Sequence, residues 1–236
     1  MGRYEEARGY LEESLAIARE LGDKGRIAMA LQPLGTACLG QGDRATAQTH
    51  LHEALTLAQE LGNKRELAGA FNALAQLHRA EAELDRAEPL YEQVLALARE
   101  LDDRESIAIG LLNLAMVSIG RGSGDRAGAM LLEVLAIAAE TGSKPVEQSA
   151  LEVSAGLAAL RAEWNRTARF YGAAESRTAQ TGLHRDPADE AFLALYIAKA
   201  RAALGVATFG AAEAAGRALS NEAAMAEARA WLERGC

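Results

Sequence analysis

The phrase "ARELGDK" (Ala18 to Lys24) returns as "AQELGNK" (Ala58 to Lys64), as "ARELDDR" (Ala98 to Arg104) and more loosely as "AAETGSK" (Ala138 to Lys144). Each copy begins 40 positions after the last. A fixed period of this length restricts the chain to architectures built from one repeated supersecondary unit, each unit burying its apolar face against the next.

Written in rows of 40, the sequence forms columns. Ala7, Ala47, Ala87 and Ala127 share one, Leu11, Leu51, Tyr91 and Leu131 a second, and Leu15, Leu55, Leu95 and Leu135 a third. In the other half-row Ile27, Leu67 and Ile107 align, as do Leu31, Phe71, Leu111 and Leu151, and Leu34, Leu74 and Leu114. Spacings of four, or of four and three, put each set on one helix face. Every 40-residue unit is therefore expected to be two helices. The Gly-polar-basic phrase separates units, and "GQGD" (Gly40 to Asp43) separates the helices within one. Gly22 and Gly62 stand where a helix ends in the left-handed conformation. Asp23, Asn63, Asp103, Ser143 and Asp43 are N-cap types for the helices that follow.

Composition agrees with helices and narrows the function. Half of the chain is hydrophobic, mostly Ala and Leu, with four prolines. Against 33 acidic residues stand 25 Lys and Arg, a net charge of -8. That balance opposes a general nucleic-acid surface, which needs clustered cations. Two cysteines, Cys38 and Cys236, are too few for a disulfide framework and predict a reducing, cytoplasmic setting. No apolar run approaches about 18 residues, so no membrane span is expected. The charged start "MGRYEEARGY" has no apolar core and is not a signal peptide.

These residues carry a resemblance. "LQPLGTACLGQGDRATAQTHLHEAL" resembles a tetratricopeptide repeat at Leu31, Leu34, Gly35, Cys38, Gly42, Ala47, Leu51 and Ala54. "FNALAQLHRAEAELDRAEPLYEQVL" matches at Phe71, Leu74, Ala75, His78, Ala87, Tyr91 and Val94, and the units from Leu111 and Leu151 match progressively less well. The family unit is 34 residues, so a 40-residue period predicts longer helices. The resemblance implies an all-α right-handed superhelical solenoid of about a dozen helices, with repeats over 1–182 and a helical C-terminal cap over 183–236. From Asn165 the tail resembles the C-terminal end of large ATP-binding bacterial regulators of LuxR type and related predicted ATPases. Arg166, Ala168, Gly172-Ala173-Ala174-Glu175, Ala200-Arg201-Ala202-Ala203-Leu204-Gly205, Phe209 and Gly216-Arg217-Ala218-Leu219-Ser220 carry that likeness. It implies a sensor or partner-binding region beside an ATPase module, in proteins some of which also hold a DNA-binding helix-turn-helix. The first segment matches only the second helix of a unit. This orphan is expected to belong to a longer chain, with a natural cap as the alternative. Its uncovered apolar face would also allow a homodimer.

Chemistry is sparse. No Walker loop is present, and "GRGSGDRAG" (Gly120 to Gly128) reads as an inter-helix turn. His50 and His52 are two apart on a helix and cannot share a metal. His78 falls in a packing column with Cys38 and Ser118, and His184 sits in the polar linker "GLHRDPAD". No catalytic set, metal site or cofactor is expected. Binding is the remaining role. In this family the first helix of each pair lines a concave groove, which places Met29, Gln32, Pro33, Thr36 and Leu39 inward. The next unit offers Gly69, Asn72, Ala73, Gln76 and Arg79, the third Ile109, Leu112, Asn113, Met116 and Ile119, and the fourth Glu152, Val153 and Gly156. Asn72 and Asn113 are the sharpest candidates, because an amide mid-helix is unfavourable yet can donate to and accept from a peptide backbone. The groove offers one obvious cation, Arg79. The expected function is non-catalytic protein or peptide binding in a bacterial ATP-dependent transcriptional regulator, or alternatively a free-standing adaptor. Contact with nucleic acid or membrane is not expected of this chain.

Overall fold

A computed structural model describes residues 2–235, with side chains from 5 onward. Cys236, expected at a mobile end, lies outside the described residues. Among the described residues there are eleven helices and no strand: α1 (Gly2–Glu20), α2 (Lys24–Gly40), α3 (Arg44–Leu61), α4 (Lys64–Ala80), α5 (Leu84–Glu100), α6 (Arg104–Gly120), α7 (Gly124–Thr141), α8 (Lys144–Leu160), α9 (Trp164–Thr181), α10 (Pro187–Arg217) and α11 (Asn221–Arg234). The fold is the all-helical, tetratricopeptide-like solenoid class implied by the repeat. The chain forms two compact units, residues 1–102 and 103–236. The boundary read from sequence, 182, falls at the C-cap of α9 inside the second unit.

The punctuation of the sequence is the punctuation of the fold. Asp23 accepts from the Arg26 N–H at 3.1 Å, Asp43 from Thr46 at 3.2 Å, Asn63 from Arg65 and Glu66, and Asp103 from Ser106 at 3.1 Å. Each cap satisfies an amide that the first turn leaves open. The two bonds from Thr46 hold the Asp43 carboxyl below its usual range. Ser143 starts α8 without such a bond, and its hydroxyl pairs instead with Glu105. The first helices of all four pairs end in the same reverse turn. The N–H of Asp43 bonds the carbonyl of Cys38, and Glu83 to His78, Ser123 to Ser118 and Glu163 to Ala158 repeat it at 2.8–2.9 Å.

That turn needs one left-handed residue. Gly42 and Gly122 supply it with φ of 80° and 78°, but Ala82 and Ala162 are forced there at 60° and 56°. An L side chain in this region costs about 1–2 kcal/mol, part of which glycine's extra unfolded-state entropy cancels. Ala82→Gly is therefore expected to raise stability by about 0.5–1 kcal/mol, read as a higher urea midpoint at unchanged slope. A lower midpoint refutes the strain.

Packing follows the columns. In unit 1, Leu31, Leu34, Leu51, Leu74 and Leu77 form the core with Ala47 and Ala54. Gly35 of α2 meets α3 so closely that a Cβ there would lie 2.6 Å from Leu51 Cδ2. In unit 2 the alanine and leucine columns continue as Ala127, Leu131 and Leu135, all buried. α10 is broken at Gly205 (φ 74°, ψ 163°) into two rods. α10 packs on α8 and α9, Phe192 of its first rod meeting α8 at Gly156 and Gly216 of its second rod meeting α9 at Arg169, and α11 folds back against α7, α8 and α9. Trp231 of α11 stacks on Phe170 at 5.4 Å and donates from Nε1 to Glu163 Oε1 at 3.1 Å. Arg169 pairs with Glu227 at 2.8 Å.

Candidate functional site

The 40-residue period places the candidate residues of successive first helices in register columns. Gln32 and Asn72 share one column with Leu112 and Glu152. Thr36 and Gln76 share the next with Met116 and Gly156.

In unit 1 the structure divides the candidates. Gln32, Thr36 and Asn72 are half-buried, and Met29 and Pro33 are exposed. Thr36 Oγ1 donates back to the Gln32 carbonyl at 3.3 Å. The Gln32 amide lies over Gly69, where a Cβ would stand 2.4 Å from Oε1. Glycine at 69 is thus what lets α4 approach α2 with an amide between them. Gln76 and Arg79 are both only 8 % exposed. Arg79 was the groove's evident cation in sequence. In the structure its Nε donates to Tyr91 Oη at 3.1 Å, so its charge is committed between α4 and α5. Repeat spacing alone conceals this, because the pairing depends on a tyrosine at a column that elsewhere holds leucine.

In unit 2 most of the corresponding positions are buried, although Ile109 is 41 % exposed. Asn113 and Met116 are 4 % and 5 % exposed, and Leu112 and Ile119 are buried too. Over α8 the chain's own tail takes the place of a ligand. Phe192 sits on Gly156, where a Cβ would be 2.6 Å from its ring. Arg185, from the segment read as a polar linker, reaches Glu152 at 2.7 Å, Glu175 at 2.5 Å and Glu190 at 3.3 Å. Burial pushes the Glu152 carboxyl up to about 7, with Arg185 and the Gln148 amide opposing it. Burial works against the Arg185 guanidinium, but Glu152 and Glu175 outweigh it and hold its pKa above the usual range.

The histidines behave differently from one another. His78 is half-buried, and its Nδ1 lies 2.8 Å from Glu83 Oε2, a contact that holds the Glu83 carboxyl below its ordinary range. With Glu81 these two offer ligand atoms within 4.8 Å of one another. Sequence reasoning saw no metal-capable grouping, since the trio is assembled by the reverse turn rather than by helical spacing. Arg86 already pairs with Glu83 at 3.1 Å, so the grouping has an ion-pair explanation of its own. The His50 Nδ1 is buried with no hydrogen-bond partner. Cys38 is buried and unpaired, and burial raises its thiol pKa, which leaves it unreactive.

No uninterrupted apolar run reaches membrane length, yet α10 is by length and composition long and apolar enough to cross a membrane, and 28 % of its most apolar window is buried. Its alanines carry that character around two charged residues, Lys199 and Arg201, which a search for uninterrupted apolar runs passes over. The break at Gly205 divides the helix into rods of about 18 and 12 residues.

Comparison with known proteins follows the same lines. No curated protein matches this chain. The crystal structure of BtubC (BKLC) from P. vanneervenii is similar over 98 % of this chain and 92 % of that one, with a TM-score of 0.60 and 24 % sequence identity, a likeness of fold. The family model for anaphase-promoting complex subunit 5 matches residues 98–158. Neither match shows a likeness to LuxR-type transcriptional regulators or ATPases. The tetratricopeptide repeat model matches residues 1–60 and 26–100. The repeat match over residues 1–100 and the all-helical structure agree on a tetratricopeptide-like solenoid fold, and repeats of this kind suggest a protein–protein interaction module.

Proposed function

We propose that this chain is a non-catalytic protein- or peptide-binding module whose ligand lies along the α2–α4 face. The observation that carries this is the Gln32–Asn72 column. Two amides stand one repeat apart on neighbouring first helices, half-buried and flanked by Thr36. An extended peptide presents alternating N–H and C=O groups, and an amide side chain can answer both. Burial of Leu112, Asn113, Met116 and Ile119 in unit 2 supports ligand contact centred on unit 1.

A library of random ten-residue peptides displayed on phage tests this. Enriched peptides are expected to bind about tenfold more weakly to the Gln32→Ala, Asn72→Ala double variant, the loss of two neutral hydrogen bonds at about 0.5–1.5 kcal/mol each. Failure to enrich any peptide, or affinity indifferent to both substitutions at an unchanged melting temperature, sinks the assignment.

The wider setting rests on the tail. Its likeness to ATP-binding regulators supports a sensor region of a bacterial cytoplasmic regulator, with the groove ligand biasing the switch. An in-frame ATPase-coding sequence upstream of the Met1 codon is the expected finding. Its absence favours the adaptor reading.

A further inference from the structure

The reverse turn between α4 and α5 gathers three side chains of metal-ligating type. His78 Nδ1 lies 2.8 Å from Glu83 Oε2. With Glu81 they offer ligand atoms that all lie within 4.8 Å of one another. The turn itself sets this spacing. The Glu83 N–H returns to the His78 carbonyl at 2.9 Å, and Ala82, between the two glutamates, is left-handed at φ 60°. Residues three and five positions apart in sequence thus converge without the help of helical periodicity.

The other turns of this kind show that the fold does not require such a set. The His78 column holds Cys38, Ser118 and Ala158, all at most 1 % exposed. Packing there asks for a small residue, and the larger imidazole stays 12 % exposed at the turn. In the Glu83 column, Asp43 commits its carboxylate to the N-cap bond with Thr46. Glu83 makes no cap bond at the start of α5 and turns to the imidazole instead. Packing explains no histidine at 78, and capping does not explain the direction of Glu83. The pair with Arg86 accounts for one carboxylate only, and its arginine is 68 % exposed, where such a pair contributes little.

One imidazole nitrogen and two carboxylates suit a borderline divalent cation better than calcium or magnesium, which favour all-oxygen sets. A zinc ion about 2.0–2.2 Å from each ligand atom sets neighbouring ligand atoms about 2.8–3.6 Å apart. The His78–Glu83 spacing already falls in that range. Glu81 is exposed, so it closes on the ion at the cost of one side chain's rotamer freedom. Without metal, Nδ1–H donates to Glu83. With metal, Nδ1 gives its lone pair to the cation and the neutral ring carries its proton on Nε2.

We propose that His78, Glu81 and Glu83 form a divalent-cation site, best matched to zinc, which fastens the end of α4 to the start of α5 and leaves its remaining coordination to water. The cation and Arg86 compete for Glu83.

Calorimetric titration of the full chain with Zn²⁺ tests this, in a Cys236→Ser background that removes a competing thiol. One site per chain, saturated below about 100 µM Zn²⁺, is expected. Glu81→Gln and His78→Gln are each expected to weaken it at least about tenfold. Glu81→Gln decides the matter if His78→Gln lowers the melting temperature, because Glu81 is exposed. Arg86→Ala is expected to tighten binding about two- to fivefold, the strength of an exposed ion pair. The His78 ring resonances, assigned by their loss in His78→Gln, should shift on adding zinc while those of His184 stay in place. The Gln32→Ala, Asn72→Ala variant should bind zinc unchanged, since the site is independent of the α2–α4 face. No saturable binding, unmoved His78 resonances, or affinity that Glu81→Gln leaves within about twofold overturns the proposal. The trio is then an ion-pair cluster only, or the zinc is held adventitiously elsewhere.

Discussion

Gly216→Ala is expected to lower the stability of unit 2 by about 3 kcal/mol or more and to loosen its tail. A Cβ at Gly216 would lie 1.9 Å from the Arg169 carbonyl oxygen, and one at Gly172 would lie 2.1 Å from that of Glu213. Both obstacles are backbone, which cannot rotate aside as a side chain does. Helix α9 and the second rod of α10 must therefore part, and the cost of overpacking, about 1–3 kcal/mol where neighbours can yield, is reached or exceeded. Separation also disturbs Tyr171 against Phe209, whose rings lie 6.2 Å apart. For a unit of this size the loss corresponds to a fall on the order of 10 °C in melting temperature. Limited proteolysis should cut after Gly205 in the variant sooner than in the parent. Because Gly172 and Gly216 serve one crossing, the double alanine variant should cost much less than the sum of the singles, as parted helices accommodate both methyl groups. A melting temperature within a degree of the parent for either single variant refutes the close crossing.

These two glycines show how far the sequence could be read. Both stand in the tail beyond the regular repeats, where no periodic pattern assigned them a task. Their physical role is contact between helix backbones 44 positions apart, and a close approach leaves no signal beyond an unfavourable glycine inside a helix. The repeats were legible because their physics is local and reiterated. A cap such as Asp103, a left-handed Gly62 and a buried Ala87 each need only neighbours at fixed offsets. The candidate site was half legible. Column arithmetic put Gln32 and Asn72 on successive first helices, where they remain half-buried. It could not foresee that Tyr91 would claim Arg79, or that Phe192 and Arg185 would cover α8. Those contacts join a repeat to something that breaks the repeat.

Arg185→Met should be the most damaging single change at a charged residue, and its cost should depend on pH. Arg185 holds Glu152, Glu175 and Glu190 together, and its side chain is only 11 % exposed. Removing one partner of a buried ion pair leaves the other charge unpaired, at about 3–5 kcal/mol. Glu152 is otherwise met by the Gln148 Nε2 donor at 3.1 Å, and Thr181 anchors that glutamine through its Oε1. The full cost is expected at pH 8, where Glu152 is ionised, and less at pH 5, where it carries a proton. The parent protein has a related slope. Because burial lifts the folded-state pKa of Glu152 to about 7, the fold binds this proton more tightly than the unfolded chain does. The stabilisation is fully present below the ordinary glutamate value, about 4.3, and is lost as pH rises through about 7. It amounts to at most about 4 kcal/mol. Glu152→Gln keeps the shape and the neutral hydrogen bonds but removes the titration. Thermal melts from pH 5 to 8 should therefore decline less steeply in Glu152→Gln than in the parent, and Glu152→Gln combined with Arg185→Met should recover part of the Arg185→Met loss at pH 8. If Arg185→Met costs under about 1 kcal/mol at both ends of that range, the arginine is not what closes the α8 face, and Phe192 on Gly156 must do so alone.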